Sequence, residues 1–527
     1  MSKGRTRRSR LGGGDIGVCL TRLHHDRFTI ADHVFDEVRS RDALRGIEHE
    51  RLVVEALVDL HRDVVRIGSG SGAEERTLAA MARGIEFIIG GRLSSGDDAL
   101  VGAPDLLVQI GDGYAPVEIK NHKIESSSGI SATSSPLGSI ANTSTDRRKF
   151  RSSRRRDLLQ IAHYRYLLSG VGYASSDYLG GIIGSEKPYR CLWVDLSAGR
   201  PSIMDTYVSL QSTAIVAILF GIEHPNTPYQ QPSWRSECSR CDWADLCEAE
   251  LIRNKDVTLL SKIDADDRSL LTDYGITRID QIAALHPDQV CVADQAVVFQ
   301  ARARTAGRLL RLRDEPAALD VPSARREVDF DIETYNGQIY LAGFLTTVNG
   351  DSTYESIVDW TGSHNGEKRL VHEMFALLST LTGDDTVTLH WTEYERRTLE
   401  QAGERHGLLI PGFGSVADWF DGHAVDLCDW VRQNLASPSG YSLKVIAPLC
   451  GFTWRDDDPG GRQSEIWFER MLAGDLDMRE RILAYNEDDV VAQHEIRRWV
   501  RRHDDGRGPG TAIPSVRIWP LEGADSF

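Results

Sequence analysis

Between Ala99 and Lys120 the chain reads ALVGAPDLLVQIGDGYAPVEIK, and the acids in this stretch constrain the fold more than any other feature. Leu106, Val108 and Ile110 alternate, which predicts a strand with these three on one face. Gly111-Asp112-Gly113 supplies a tight turn, and Pro116 to Asn121 predicts the returning strand. Residues two apart in a strand point the same way, so Glu118 and Lys120 share a side. Asp105 opens the first strand, and a hairpin brings it opposite Glu118. Two carboxylates about 4 Å apart repel by roughly 4 kcal/mol at an effective dielectric of about 20. A divalent cation removes that cost, and a carboxylate-rich oxygen site suits Mg²⁺ or Mn²⁺. A lysine beside such an ion polarises a water or steadies charge growing on a phosphate. On spacing alone, the same residues also fit an exposed hairpin with ordinary surface charges.

The chain has 527 residues, enough for several domains with their own cores. A net charge of -17 means that the bulk surface does not attract phosphates, so any nucleic-acid binding must come from local basic patches. Eight cysteines, three of them clustered, fit a reducing compartment and a metal site better than a disulfide framework. No uninterrupted apolar run reaches membrane-spanning length, and the Arg-rich start leads into Gly12-Gly13-Gly14. The expectation is a cytoplasmic protein with no membrane partner. The absence of a G-x-x-x-x-G-K-[ST] stretch argues against an ATP motor within the chain.

Residues 1–14 read as a flexible basic tail. Arg41 to His61 predicts a helix that carries His49, in Gly46-Ile47-Glu48-His49-Glu50. After Lys120 a Ser/Gly/Thr-rich stretch reads as loop to about residue 145. It leads into Arg147, Arg148, Lys149, Arg151, Arg154, Arg155 and Arg156, either a solvated charge run or a loop that grips a nucleic-acid strand. The helix DLLQIAHYRYLL then puts Gln160 and Tyr164 on one face. Cys238, Cys241 and Cys247 form C-x2-C-x5-C, with Cys19 far upstream. Zinc is the generic reading of such thiolates.

Together these residues resemble the RecB-like PD-(D/E)xK nucleases of the iron–sulfur type, over residues 15–252. The resemblance implies a restriction-endonuclease-like α/β domain in which Asp105, Glu118 and His49 hold the metal and Lys120 is catalytic. It implies that Gln160 and Tyr164 orient the site and the DNA. It also implies that Cys19, Cys238, Cys241 and Cys247 hold a 4Fe–4S cluster, with Zn²⁺ as the other candidate occupant.

Residues 253–320 read as a small helical linker domain. LLTDYGITRIDQIAAL has the outline of a helix–hairpin–helix, whose turn lays backbone N–H groups against a phosphate. Arg302, Arg304, Arg308, Arg311 and Arg313 follow. Further on, EVDFDIET alternates Val328, Phe330 and Ile332 with Asp329, Asp331 and Glu333, so the acids share one strand face. Asn336-Gly337 predicts a hairpin turn. The pattern continues in Tyr485-Asn-Glu-Asp-Asp489, on a helix predicted over 477–502 that places phenol and carboxylate together.

This half, residues 321–505, resembles the RNase H-like exonucleases of the DEDDy type, an α/β fold. The resemblance makes Asp331, Glu333 and Asp489 ligands of two cations, and makes Tyr485 the residue that orients the attacking water. It departs in the middle motif. After Thr386 to Leu389 the chain reads HWTEYERRTLEQ, which puts His390 and Glu395 where the family carries Asn and Asp. An extra methylene shifts the oxygen by over an ångström, and misplacement of about 1 Å costs about a hundredfold in rate. Asp426, Tyr441 and Lys444 fall in the segment that cradles the strand, with Lys444 expected to bind nucleic acid. Residues 506–527 read as a tail.

The expectation is an α/β metal-dependent nuclease with Mg²⁺ or Mn²⁺, acting on DNA that is single-stranded or at ends, in repair or defence. The alternatives are a nucleic-acid-binding scaffold with one degenerate site, working with a separate helicase, and an exoribonuclease.

Overall fold

The computed structural model describes residues 10–30, 37–96, 99–142, 146–292, 294–312, 319–457, 460–504 and 513. Residues 1–9 of the expected N-terminal tail, 313–318 of the linker with its Arg313, and all of 506–527 except Ile513 lie outside the described residues. The chain divides into two compact units. One comprises residues 1–232 with 237–245, the other 233–236 with 246–527.

The first unit is built on an eight-stranded mixed sheet. Strands Leu106–Ile110 and Gly113–Ile119 form the expected hairpin, with Leu106 opposite Val117, so Asp105 falls opposite Glu118. The hairpin is central rather than exposed. Gly113–Ile119 also pairs in parallel with Leu179–Ile183, and all seven of its residues are buried. Glu118 is therefore a core carboxylate, which an exposed-hairpin reading does not allow. Helix Arg155–Gly170 buries Leu158, Leu159, Ile161, Ala162, Leu167 and Leu168 against this core and carries Gln160 and Tyr164 with it.

Two expectations for this unit change. The stretch after Lys120 holds a strand, Glu125–Pro136, laddered to Arg190–Asp195 on one side and to Asp146–Phe150 on the other. Ser and Gly suggest a loop locally, but two available partner strands override that preference. The basic run is consequently an edge strand, a short 3-10 turn at Ser152–Arg154 and the start of helix Arg155–Gly170, not a loop. The tail ends sooner than expected, because Leu11–Gly12 pairs with the strand Leu100–Gly102 and Leu11 is buried. Helix Ile203–Glu223 is long and apolar enough to cross a membrane by length and composition. It buries Tyr207, Ala214, Ala217 and Ile218 within this unit.

The second unit begins with small helices around Leu251, Val257, Leu271, Ile279, Ile282, Val297 and Val298. Helices Ala265–Asp273 and Ile279–Ala284 flank a turn at Gly275, which has φ +74°. The arginines that follow are largely spent on the chain itself. Arg302 donates to the carbonyls of Ala283 and Leu285, Arg304 donates to that of Pro438, and Arg311 is buried.

A five-stranded sheet follows, with Arg326–Tyr335 at its centre. Gln338–Val348 and then Asp351–Val358 lie antiparallel on one side, Thr386–His390 and then Ala424–Asp426 parallel on the other. Alternation sends Val328, Phe330 and Ile332 into a core with Leu370, Phe375 and Trp419. It leaves Asp329, Asp331 and Glu333 on the face that helix Met478–Asp504 covers. Among the described residues, Asp329 is the one of these three acids in an ion pair: fully buried Arg497 pairs with it and with Glu327.

Candidate active sites

Asp331, Glu333 and Asp489 each offer an oxygen within 4.8 Å of the others. The strand delivers the first two, and the C-terminal helix delivers the third. A register shift between Glu333 and Thr334 ends the regular ladder at the site, and such irregularities re-aim side chains. Each carboxylate is pinned by a donor from the chain. Asn486 Nδ2 donates to Asp331 Oδ2 at 3.0 Å, the Ser464 hydroxyl to Glu333 Oε2 at 2.5 Å, and Trp454 Nε1 to Asp489 Oδ1 at 2.6 Å. Lys444 also donates to Asp489 Oδ1.

These donors do not offset the repulsion. Burial, and then the neighbouring carboxylates, hold Asp331 well above the usual range and push Glu333 up to about 8. Burial raises Asp489 as well, against the pull of Lys444. A largely buried trio of hard oxygen donors, with Lys444 as its one adjacent cation among the described residues, fits Mg²⁺ or Mn²⁺. Tyr485 is 3% exposed, bonds Asp489 and keeps its phenol proton, its pKa raised by burial and the same acids.

Glu395 is where the sequence departed from the DEDDy pattern, and the structure shows what its longer side chain does. Its Oε2 accepts the Thr392 N–H at 3.2 Å and lies 3.5 Å from His390 Nδ1. Thr392 in turn accepts from the Tyr394 N–H, and the pair closes a capping box on helix Glu393–His406. Glu395 contributes to the field at Asp331 but does not join the trio. Asp426 likewise caps a helix, by accepting from the Asp429 N–H, and Tyr441 donates to the Leu435 carbonyl. Lys444, expected at the strand cradle, stands among the acids.

The sequence reading missed Asn486, Ser464, Trp454 and Gly343. Asn486 lies between two recognised residues, but Ser464 and Trp454 come from segments with no local signal. Gly343 is opposite Asp331 in the ladder, and a Cβ there would lie 1.7 Å from Asn486 Oδ1. Tyr354 also donates to that oxygen, at 2.9 Å. Gly343→Ala must therefore displace the group that pins Asp331. The expected loss is about 1–3 kcal/mol, typical of overpacking, read as a lower unfolding midpoint with weaker Mn²⁺ binding. An unchanged midpoint and affinity would show that Asn486 moves aside freely.

In the first unit the sequence-predicted residues also come together. Lys120 Nζ donates to Glu118 Oε1 and to Gln160 Oε1, both at 3.0 Å. Gln160 Nε2 donates to Glu118 Oε1 at 2.6 Å and to the Tyr164 hydroxyl at 2.8 Å. Asp105 Oδ2 accepts the Ile119 N–H at 2.8 Å. Glu118 Oε2 is buried and has no hydrogen-bond partner among the described residues. Burial and the field of Asp105 push Glu118 up to about 8, and burial pushes Asp105 up to about 6. A buried carboxylate with one idle oxygen beside a second acid is a site that a hard cation fits. Gly13 abuts this network, where a Cβ would stand 3.0 Å from Gln160 and 3.2 Å from Tyr164. The glycine run expected to be tail is thus a wall of the site.

The expected ligands His49, Asp105 and Glu118 do not lie within 4.8 Å of one another. His49 is buried, its pKa is lowered by burial, and its charged neighbours are Lys187, Glu186 and His122. The next residue, Glu50, is the one whose charge acts on Asp105. Of the basic run, Arg147, Arg148, Lys149, Arg154, Arg155 and Arg156 are exposed. Arg148 is partly spent on Asp146, Arg151 reaches the Glu125 carbonyl, and Arg156 reaches that of Gly14.

Cys19, Cys238 and Cys241 fall in the first unit and Cys247 in the second. Trp243 Nε1 donates to Asp26 at 2.7 Å, tying the later cysteine segment to the helix that Cys19 caps. Among the described residues, however, no three thiols lie within 4.8 Å of one another. A tetrahedral zinc with Zn–S bonds near ~2.3 Å draws its sulfurs closer than that. The thiols are thus not gathered as tightly as a bound zinc would hold them.

No curated protein and no solved structure matches the chain. A family model of the RNase_H superfamily matches residues 328–501, the segment that runs from the central acidic strand to the helix of Tyr485 and Asp489. The C-terminal part of this chain thus carries an RNase H-like domain, a superfamily that suggests a nuclease-type activity on nucleic acids.

Proposed function

We propose that the chain is a metal-dependent nuclease that hydrolyses phosphodiester bonds of single-stranded DNA or DNA ends. The observation that carries this reading is the trio Asp331, Glu333 and Asp489 beside Tyr485, inside the matched domain. Bound Mg²⁺ or Mn²⁺ would supply Lewis-acid polarisation of the scissile phosphate. Asp331, Glu333 and Asp489 hold the ion, while Asn486, Ser464 and Trp454 fix their carboxylates. Tyr485 orients the water by its retained hydroxyl proton.

The Lys120–Glu118–Gln160 network supports a second hydrolytic centre of the PD-(D/E)xK kind in the first unit. There Asp105 and Glu118 hold the ion and Lys120 places positive charge at the phosphate. The exposed arginines ahead of helix Arg155–Gly170 contact the strand. A role in repair or defence, alongside a separate helicase, accords with a chain that has no recognisable ATP motif of its own. The test is incubation of the full chain with end-labelled single-stranded DNA and RNA, with Mg²⁺, Mn²⁺ or a chelator. Metal-dependent shortening of DNA supports the proposal, shortening of RNA alone makes the enzyme a ribonuclease, and metal-independent binding without cleavage makes it a scaffold.

A further inference from the structure

We propose that Lys444 is a built-in countercharge of the C-terminal site, so that its acids take up one divalent ion rather than two. This rests on the nuclease reading of that site. The ammonium of Lys444 bonds Asp489 Oδ1, the oxygen that Trp454 Nε1 also holds. It stands 4.1 Å from the centroid of the Trp454 ring and 4.5 Å from that of Tyr485. Two aromatic faces and a carboxylate fix a cation in place far better than a solvated lysine is fixed. Three carboxylates and one ammonium leave two negative charges, which a single divalent ion cancels.

The acids that a second ion would need are committed elsewhere. Glu395 caps its helix and lies against His390. Asp488, next to Asp489, accepts from Arg455 Nε and from its backbone N–H, both at 2.8 Å. Asp426 caps the helix Leu427–Asn434. Asp329 is paired with Arg497.

The experiment counts Mn²⁺ ions by the free-ion signal in electron paramagnetic resonance. Ions of this site are those lost when Asp331→Asn and Asp489→Asn are combined in the full chain. One ion is expected. In Lys444→Met a second ion should bind, or the first should bind at least about tenfold more tightly, because a neighbouring positive charge is gone, and cleavage should fall. A lysine that merely packs would not strengthen metal binding. Lys444→Arg keeps the charge and should keep the count at one, which covers the case in which Lys444→Met fails to fold. Two ions in the parent chain overturn the proposal while leaving the nuclease reading intact, as does unchanged affinity in Lys444→Met. No ion and no cleavage in the parent overturns both.

Discussion

Asp331→Asn is expected to reduce metal-dependent cleavage from the C-terminal site by more than about a hundredfold. Substituting a residue that merely supports a metal ligand costs roughly 10- to 100-fold in affinity or activity, and Asp331 is itself in the proposed ligand trio. Asparagine keeps the size and one acceptor oxygen but removes the charge. It also removes a carboxylate that burial, Glu333 and Asp489 already disfavour in its charged form, so the variant should fold at least as stably as the parent in chelator. That combination, lost cleavage with retained or raised unfolding midpoint, separates a ligand from a structural residue. Lys120→Ala is the matched variant for the first unit, where the ammonium bridges Glu118 and Gln160. If Asp331→Asn alone abolishes product, the RNase H-like domain is the enzyme despite Glu395. If Lys120→Ala alone does so, the proposed C-terminal chemistry is wrong and that domain guides the strand. Products that differ in the labelled end between the two variants would show two working centres.

Strand alternation was enough to place the strand-borne acids of both sites, because the side-chain period of a strand is fixed by its backbone. Asp105 opposite Glu118, and Asp331 with Glu333, follow from that period alone, and Gln160 with Tyr164 from the helical one. Side chains held by tertiary packing were not legible. Nothing local marks Ser464 or Trp454, and Gly343 matters only because Asn486 approaches it from a helix far along the chain. The Ser-rich strand Glu125–Pro136 and the buried Leu11 failed for the same reason: their partners are distant in sequence. His49 shows a finer limit. The helix was expected, but which of two adjacent residues acts on Asp105 depends on its rotation, and it is the charge of Glu50 that is felt there.

Arg497→Ala should destabilise the second unit by about 3–5 kcal/mol, the cost of breaking a buried ion pair by removing one partner. Arg497 is fully buried and bonds both Asp329 and Glu327. Glu327 keeps Arg501, which donates to its Oε1 at 2.6 Å, whereas Asp329 has no other ion pair among the described residues. Burial already pushes Asp329 up to about 6, with Arg497 pulling it down. Without the guanidinium its pKa must rise further. A folded-state pKa raised above the unfolded value of roughly 4 means that the folded protein holds a proton the unfolded chain has released. Stability from that group is full below the unfolded value and is lost as pH rises through the folded one. The deficit of Arg497→Ala should therefore be smaller at mildly acidic pH and grow toward neutral and alkaline pH. Adding Asp329→Asn should recover part of the loss, because an amide is cheaper to bury there than an unpaired carboxylate. Unfolding midpoints measured across pH for the two variants decide this. An equal deficit at every pH would mean that Arg497 stabilises by packing, and that the charge of Asp329 is not what the arginine was holding.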